Sequence, residues 1–178
     1  MKYICTKQEP NPDNDIPPKE IFVFPKHLEF DVIAPLLNVI RNQTWGNWRR
    51  IPRPIISAGS ITNVSGSFVF SSKQDPELIS SVDHDLELFK KQLNNVCKYI
   101  VVKGYKDYDE TEVEEIYIFP SDINHDCFYE AINNQDEFRK IISGGFVNID
   151  LVCQGHSESL GVKSRSEDTV LLKKEISI

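Results

Sequence analysis

The chain has 178 residues, of which 40% are hydrophobic and 26% charged, close to the average for a soluble globular protein. This composition excludes a wholly disordered chain, and the length allows one ordinary domain or two small ones. The 20 Lys and Arg residues against 27 Asp and Glu residues give a net charge of −7, an ordinary solubilising charge. Duplex nucleic acid is not an expected partner, because its binding needs a basic face.

The sequence predicts a cytoplasmic protein without a membrane segment. Its first residues contain no apolar stretch of signal-peptide length, and the longest apolar runs, such as 32–37, are too short to cross a bilayer. The cysteines are widely spaced and form no CxxC pair, so without a secretory signal we expect reduced thiols at Cys5, Cys97, Cys127 and Cys153.

Four short segments recur in the same order in the second half of the chain. The matching pairs are 2–4 with 98–100, 21–25 with 116–120, 55–59 with 141–145, and 88–91 with 171–174. The offset between partners shrinks from 96 to 83, as deletions in loops would produce. We therefore predict a tandem duplication, with a first module at 1–94 and a second at 97–178.

Each module is predicted to be a β-β-α-β-β-α unit, which gives an α+β fold with mostly antiparallel sheets. Alternating apolar residues, aromatic content and helical spacing predict the elements. In the two copies these are strands at 3–6 and 99–103, strands ending in proline at 21–25 and 116–120, helices at 31–40 and 126–133, hairpins at 55–61 with 67–70 and 141–149 with 151–153, and closing helices at 83–94 and 166–176, the last with Ser166 as N-cap.

A unit this small buries little surface alone, so the two copies are expected to pack face to face as a pseudo-two-fold pair within one chain. The alternative is two independent domains joined by a linker, like beads on a string. The short tether at 94–96 disfavours that alternative.

The first copy contains an insertion at 42–54 that holds both tryptophans of the chain and three arginines. Trp and Arg are the residues most enriched in binding hot spots, and Arg also pairs with phosphate through two hydrogen bonds. The predicted binding residues are Trp45, Trp48, Arg49, Arg50 and Arg53. In the alternative interpretation the tryptophans close the end of the core and the arginines stay solvated.

The negative charge belongs to the second copy, because residues 1–95 carry 11 basic and 11 acidic side chains while 96–178 carry 9 and 16. Much of it lies at 107–115, which ends in Glu114 and Glu115. Such a run is typical of a solvated loop. It could also dock on a basic partner, as in an acidic inhibitor of a nucleic-acid-binding protein.

The second copy also has a polar segment before its last helix, with His156, Ser157, Ser159 and Arg165. These residue types near a helix N-terminus predict a second anion site, and the alternative is a plain strand-to-helix connection. A hydrolase or transferase would use His156 with Ser157, although neighbours on a strand point to opposite faces. No nucleotide-binding loop, nucleophile elbow or metal-ligand spacing occurs, so we expect no cofactor and no metal.

The strand that ends in Phe-Pro at 119–120, the Ile-Ser-Gly-Gly turn at 142–145 and the polar run at 156–172 resemble small uncharacterised proteins encoded by phages and prophages. The resemblance covers the second copy and implies a viral or mobile-element setting, where small binders that blunt host defence are common. The sequence thus predicts a non-catalytic binding or inhibitor protein, which holds a host or cognate protein or a small anionic or nucleotide ligand.

Overall fold

The computed structural model describes residues 1–7, 19–44, 47–50, 52–72, 82–106, 111–133 and 139–177. In chain order the elements are β1 (Lys2–Lys7), β2 (Lys19–Phe24), α1 (Phe30–Leu37), β3 (Arg41–Thr44), β4 (Asn47–Arg50), β5 (Ile55–Val64), β6 (Ser67–Ser72), α2 (Val82–Asn94), β7 (Cys97–Lys106), β8 (Thr111–Phe119), α3 (His125–Asn133), β9 (Lys140–Val147), β10 (Cys153–Gln154), β11 (His156–Ser157), β12 (Val162–Lys163) and α4 (Ser166–Ile176). Among these described helices, none is long and apolar enough to cross a membrane.

Eight strands form one sheet in the order β10-β9-β7-β8-β2-β1-β5-β6, and all of its neighbouring strands are antiparallel. The strands β2 and β8 lie side by side at its centre, with Val23 opposite Ile118. From the centre outward, the order is β2-β1-β5-β6 on one side and β8-β7-β9-β10 on the other. The predicted α+β class with a mostly antiparallel sheet is confirmed.

The two halves of the chain meet edge to edge, so the predicted face-to-face packing is wrong. An edge strand presents unpaired backbone groups, and pairing β2 with β8 gives these groups partners in a continuous ladder. Both faces of the resulting sheet are then covered by helices. The helices α2 and α4 pack on one face, and α1 and α3 pack on the other.

Alternation along the strands divides the buried side chains between two cores. Tyr3 and Cys5 of β1 point to the α2 and α4 side, whereas Ile4 points to the α1 and α3 side. Each core combines residues of both halves, since Tyr3 shares a cluster with Tyr99, and Ile4 shares one with Ile100. Burial on both faces explains why the central strands are continuously apolar.

The ends of two predicted helices need correction. The helix α1 ends at Leu37 instead of residue 40, because the Arg53 guanidinium donates hydrogen bonds to the Leu37 and Ile40 carbonyl oxygens. Ser166 is the first residue of α4 and not its N-cap, because Arg165 precedes the helix and donates its backbone N–H to the Asp168 carboxylate.

Candidate functional site

The insertion at 42–54 begins with a two-stranded hairpin of β3 and β4, in which Arg41 lies opposite Arg50. Trp45 lies outside the described residues. The structure describes Trp48, Arg49 and Arg50 only through the backbone of β4. Their role in binding therefore stays a prediction.

Arg53 is fully buried, which corrects its predicted place on an exposed binding surface and also the alternative in which it is solvated. Its Nε donates to the Glu20 Oε2 atom at 3.0 Å. Its Nη1 lies 3.3 Å from the Leu37 carbonyl oxygen and 3.4 Å from that of Ile40. Arg53 is therefore part of the core, where it joins β2 to the end of α1.

A similar buried pair lies in the second half. The Arg139 Nε donates to Glu115 Oε2 at 2.9 Å, and Glu115 also accepts hydrogen bonds from the Tyr117 hydroxyl at 2.8 Å and from His27 Nε2 at 2.9 Å. Burial alone raises the pKa of Glu115, but these three partners together hold it below its ordinary value. Glu115 is therefore inside the protein, so it cannot belong to a solvated acidic loop as predicted.

Arg165 is held by two carboxylates. Its Nη1 and Nη2 atoms donate to the two oxygens of Glu114 at 3.0 and 2.9 Å, and its Nε donates to Asp168 Oδ1 at 2.8 Å. This hydrogen bonding lowers the pKa of the Glu114 carboxyl and raises that of Arg165. Because both edges of the guanidinium are engaged, Arg165 holds β8 to the start of α4 and is not placed to bind a ligand as predicted.

His156 and Ser157 point in opposite directions, as expected for neighbours on a strand. His156 is exposed, with its Nε2 atom 3.6 Å from Glu158 Oε1, whereas Ser157 is buried. The Ser157 Oγ atom accepts a hydrogen bond from the Leu160 N–H at 3.3 Å and lies 3.4 Å from the Ser159 Oγ. These described contacts do not pair His156 with Ser157 as base and nucleophile.

His156 and Ser159 instead line an open groove of about 640 Å³ together with residues from three other elements. We call this the His156 groove; it is lined by Lys98, Asn124, His125, Phe146, His156, Glu158 and Ser159. Lys98 comes from β7, Asn124 and His125 lie at the start of α3, and Phe146 comes from β9. The short β11–β12 hairpin forms the remaining wall. The topology thus brings together polar side chains that are far apart in the sequence.

Two of these side chains are held firmly in place. The Lys98 Nζ atom donates to the Ile123 carbonyl at 2.8 Å, and partial burial lowers its pKa. The His125 Nε2 atom lies 2.9 Å from the Gly145 carbonyl oxygen, and its ring packs edge-on between Phe119 and Phe146. Burial lowers the pKa of His125, which favours a neutral imidazole that donates from Nε2.

The first half places a lysine in a similar position with a different partner. The Lys2 Nζ atom donates to the Leu28 carbonyl at 2.8 Å and also to the Glu29 carboxylate at 3.2 Å. Lys98 makes the same kind of contact with the Ile123 carbonyl. The residue after Ile123 is Asn124, however, whereas the residue after Leu28 is the acidic Glu29. In the part of the chain that the structure describes, Lys98 forms no ion pair.

Sequence reasoning missed Lys98, Asn124 and His125 as residues of this groove. The signal available for Lys98 was its recurrence, since 98–100 repeats 2–4 and so places Lys98 at the position of Lys2. His125 and Asn124 carried no pattern, because their meeting with His156 depends on the sheet order. Within the described ranges, no group of three or more His, Cys, Asp or Glu side chains could hold a metal ion.

Comparison of the chain with family models, with curated proteins and with solved structures finds no match in any of the three.

Proposed function

We propose that this chain is a non-catalytic binding protein that holds a small anionic ligand in the His156 groove. The observation that supports the proposal is the meeting of the Lys98 ammonium group with the Asn124 amide, the His156 ring and the Ser159 hydroxyl around one groove. These groups can all donate hydrogen bonds, and an anion accepts them.

The electrostatics of the groove favour an anion. Lys98 is partly buried, and a charge in a less polar environment attracts an opposite charge more strongly than it would in water. The carboxylate of Glu158 is highly exposed at the rim, where solvent screens it. Phe146 supplies an apolar wall, and the volume of about 640 Å³ lies in the range of small-molecule sites.

The proposal includes the tandem duplication and the pseudo-two-fold relation of the two halves. Besides the two strand orders, matched side-chain contacts support it. The Tyr3 hydroxyl donates to Asp85 at 3.1 Å, and the Tyr99 hydroxyl donates to Asp168 at 2.8 Å.

The buried arginines supply a second matched set of contacts. The backbone N–H of Arg53 donates to the Asn38 side chain at 3.0 Å, and that of Arg139 donates to Asn133 at 3.0 Å. Independent origins would not be expected to produce the same local contacts around both arginines. In a duplicated frame, the features that differ between copies are candidates for function, and the β11–β12 hairpin of the His156 groove is one of them.

A host or cognate protein as partner, a phage origin and an anti-defence role are further parts of the proposal that rest on the resemblance of the second copy. The β3–β4 hairpin, with Trp48, Arg49 and Arg50 in its second strand, is the proposed protein-binding surface. Loss of a captured protein on joint Trp48→Ala and Arg50→Ala substitution, with an unchanged melting temperature, would support this surface.

Isothermal titration calorimetry with orthophosphate and with AMP at pH 7 tests the His156 groove. Lys98→Met and Ser159→Ala should each weaken binding, with Lys98→Met at least about tenfold weaker, which corresponds to about 1.4 kcal/mol. The matched control is Lys173→Gln, which removes an exposed lysine of α4 on the other side of the sheet. Equal affinity of Lys98→Met and the control, or no binding of either probe by the parent protein, would refute the proposal.

The same preparations decide the enzymatic alternative. A hydrolase or transferase that uses His156 would turn over a nucleotide, and His156→Ala would abolish that turnover. The binding proposal predicts instead that AMP and ATP are recovered unchanged after incubation with the parent protein.

A further inference from the structure

A second groove lies on the α2 side of the sheet. It has a volume of about 680 Å³ and opens between α2 and the ends of β1 and β2. We call it the lysine groove, after Lys7, Lys19 and Lys91 in its lining; Glu20, His84, Leu88 and Asp122 also line it. It shares no lining residue with the His156 groove.

The lysines reach this groove from two walls. Lys7 and Lys19 are directly opposite each other in the β1–β2 pair. On α2, His84, Leu88 and Lys91 follow each other at intervals of four and three residues, so they lie on one face of the helix. Positive charges from a strand pair and from a helix therefore line the same space.

This arrangement costs stability, because like charges placed directly opposite on neighbouring strands repel each other. Of the described residues, none forms an ion pair with Lys7, Lys19 or Lys91. The nearby Glu20 carboxylate is already bonded to Arg53. The described residues thus supply no carboxylate partner for the three lysines. Repulsion of this kind is a reason to expect an anionic ligand.

The second half avoids the same repulsion at the matching place. A buried glutamate marks the matching place in the two halves. Glu20 is paired with Thr6, and the next pair along the two strands is Lys7 with Lys19. Glu115 is paired with Val102, and the next pair there is Lys103 with Glu114. Lys103 therefore lies opposite an acidic residue where Lys7 lies opposite Lys19, and its ammonium group forms an ion pair with Glu112 of the same strand β8 at 2.8 Å. Glu114 is bonded further to Arg165. The sheet geometry accepts an attractive pair here, so the repulsive one is not a requirement of the fold.

We infer that the lysine groove binds an oligophosphate, as the chain of phosphates in a nucleoside triphosphate or in inorganic polyphosphate. Lysine acts as a point charge without the fixed fork of arginine, which suits a flexible ligand with closely spaced charges. Several ammonium groups on facing walls suit a ligand with several phosphate groups better than a ligand with a single carboxylate. The volume is that of a small-molecule site and not of a long nucleic-acid channel.

Isothermal titration calorimetry of the full chain with tripolyphosphate tests the inference. Joint Lys7→Gln and Lys19→Gln substitution should raise the dissociation constant at least tenfold, and Lys91→Gln should raise it several-fold. The control is Lys174→Gln, an exposed lysine on α4 that does not line the groove, and it should bind as the parent protein does. Added salt should weaken binding by the parent protein more than by the double variant.

Removal of like charges should leave the double variant at least as stable to urea as the parent protein. Weaker tripolyphosphate binding by this variant would then not be caused by unfolding. Equal affinities for ATP and tripolyphosphate would support polyphosphate as the ligand, and tighter binding of ATP would support a nucleoside triphosphate. A double variant that binds within twofold of the parent protein would overturn the inference. It would also be overturned if a single-stranded oligonucleotide bound here while both oligophosphates failed.

Failure here is distinguishable from failure of the proposed function, because the two sites use different variants. Lys98→Met should leave tripolyphosphate binding in the lysine groove unchanged. Loss of tripolyphosphate binding in Lys98→Met, with no loss in the double lysine variant, would move the oligophosphate to the His156 groove and refute the lysine groove.

Discussion

Replacement of Arg53 by methionine separates a stabilising role in the core from a role in ligand binding. Methionine keeps much of the buried apolar volume but removes the guanidinium, and with it the 3.0 Å hydrogen bond to Glu20 and the contacts with two carbonyls at the end of α1. Glu20 is only 3% exposed, so its carboxylate would stay buried without this cation. Breaking a buried ion pair in this way costs about 3–5 kcal/mol.

Urea unfolding followed by circular dichroism measures this loss. If the dependence of the unfolding free energy on urea is about 2 kcal/mol per molar, the midpoint should fall by roughly 1.5 to 2.5 M. The control is Lys90→Met, which breaks the exposed pair with Glu87 on α2 and should cost between 0 and about 1 kcal/mol. Adding Glu20→Gln to Arg53→Met removes the uncompensated charge and should recover part of the loss.

The sequence-based interpretation gives the opposite result for the same variant. If Arg53 faced a ligand, Arg53→Met would lose binding and keep its urea midpoint. A midpoint within about 0.5 M of the parent protein, which corresponds to about 1 kcal/mol at the same urea dependence, would refute the buried pair.

Two further predictions concern other buried groups. A Cβ atom at Gly104 would lie 2.8 Å from the Glu115 carboxyl carbon, so Gly104→Ala should lower the free energy of unfolding by about 1–3 kcal/mol in urea, and an unchanged midpoint would contradict the close approach. Burial lowers the pKa of His125, so the unfolded chain binds more protons and stability should fall as the pH drops below about 6.5 towards the lower folded pKa. His125→Phe should flatten this pH dependence between pH 7 and 5 in urea midpoints, and an equally steep dependence in the variant would assign it to another group.

The long helices could be predicted from the sequence because their apolar residues recur at helical spacing. The described α2 starts within one residue of its predicted limit, and α4 has its predicted limits. The hairpins in the loops were missed for physical reasons. The strands β11 and β12 have two residues each, too few to show a periodic pattern, and the sequences of β3 and β4, Arg-Asn-Gln-Thr and Asn-Trp-Arg-Arg, do not alternate apolar with polar residues.

The candidate site was only partly predictable, because charge pairing depends on residues that are far apart in the sequence. Nothing local to Arg53 shows that Glu20 will meet it inside the core. A signal was present in the repeat, since a glutamate precedes the Ile-Phe-Val-Phe-Pro segment at 21–25 and the Ile-Tyr-Ile-Phe-Pro segment at 116–120. A charged residue kept at the same place in both copies, beside an apolar strand, favours a buried partner over a solvated loop.

The contact of the last helix with the first half of the sheet constrains how the chain folds on the ribosome. The helix α4 packs against β5, and Ser177 forms a bridge with Asn63. At a synthesis rate of roughly 5–20 residues per second, Ser177 leaves the peptidyl transferase centre roughly 6 to 23 s after Asn63. During that time the part of this apolar face that α4 covers stays exposed beside α2, and the edge of β2 stays open until β8 is made. A chaperone that binds apolar strands would therefore find this part of the chain accessible until α4 has been synthesised.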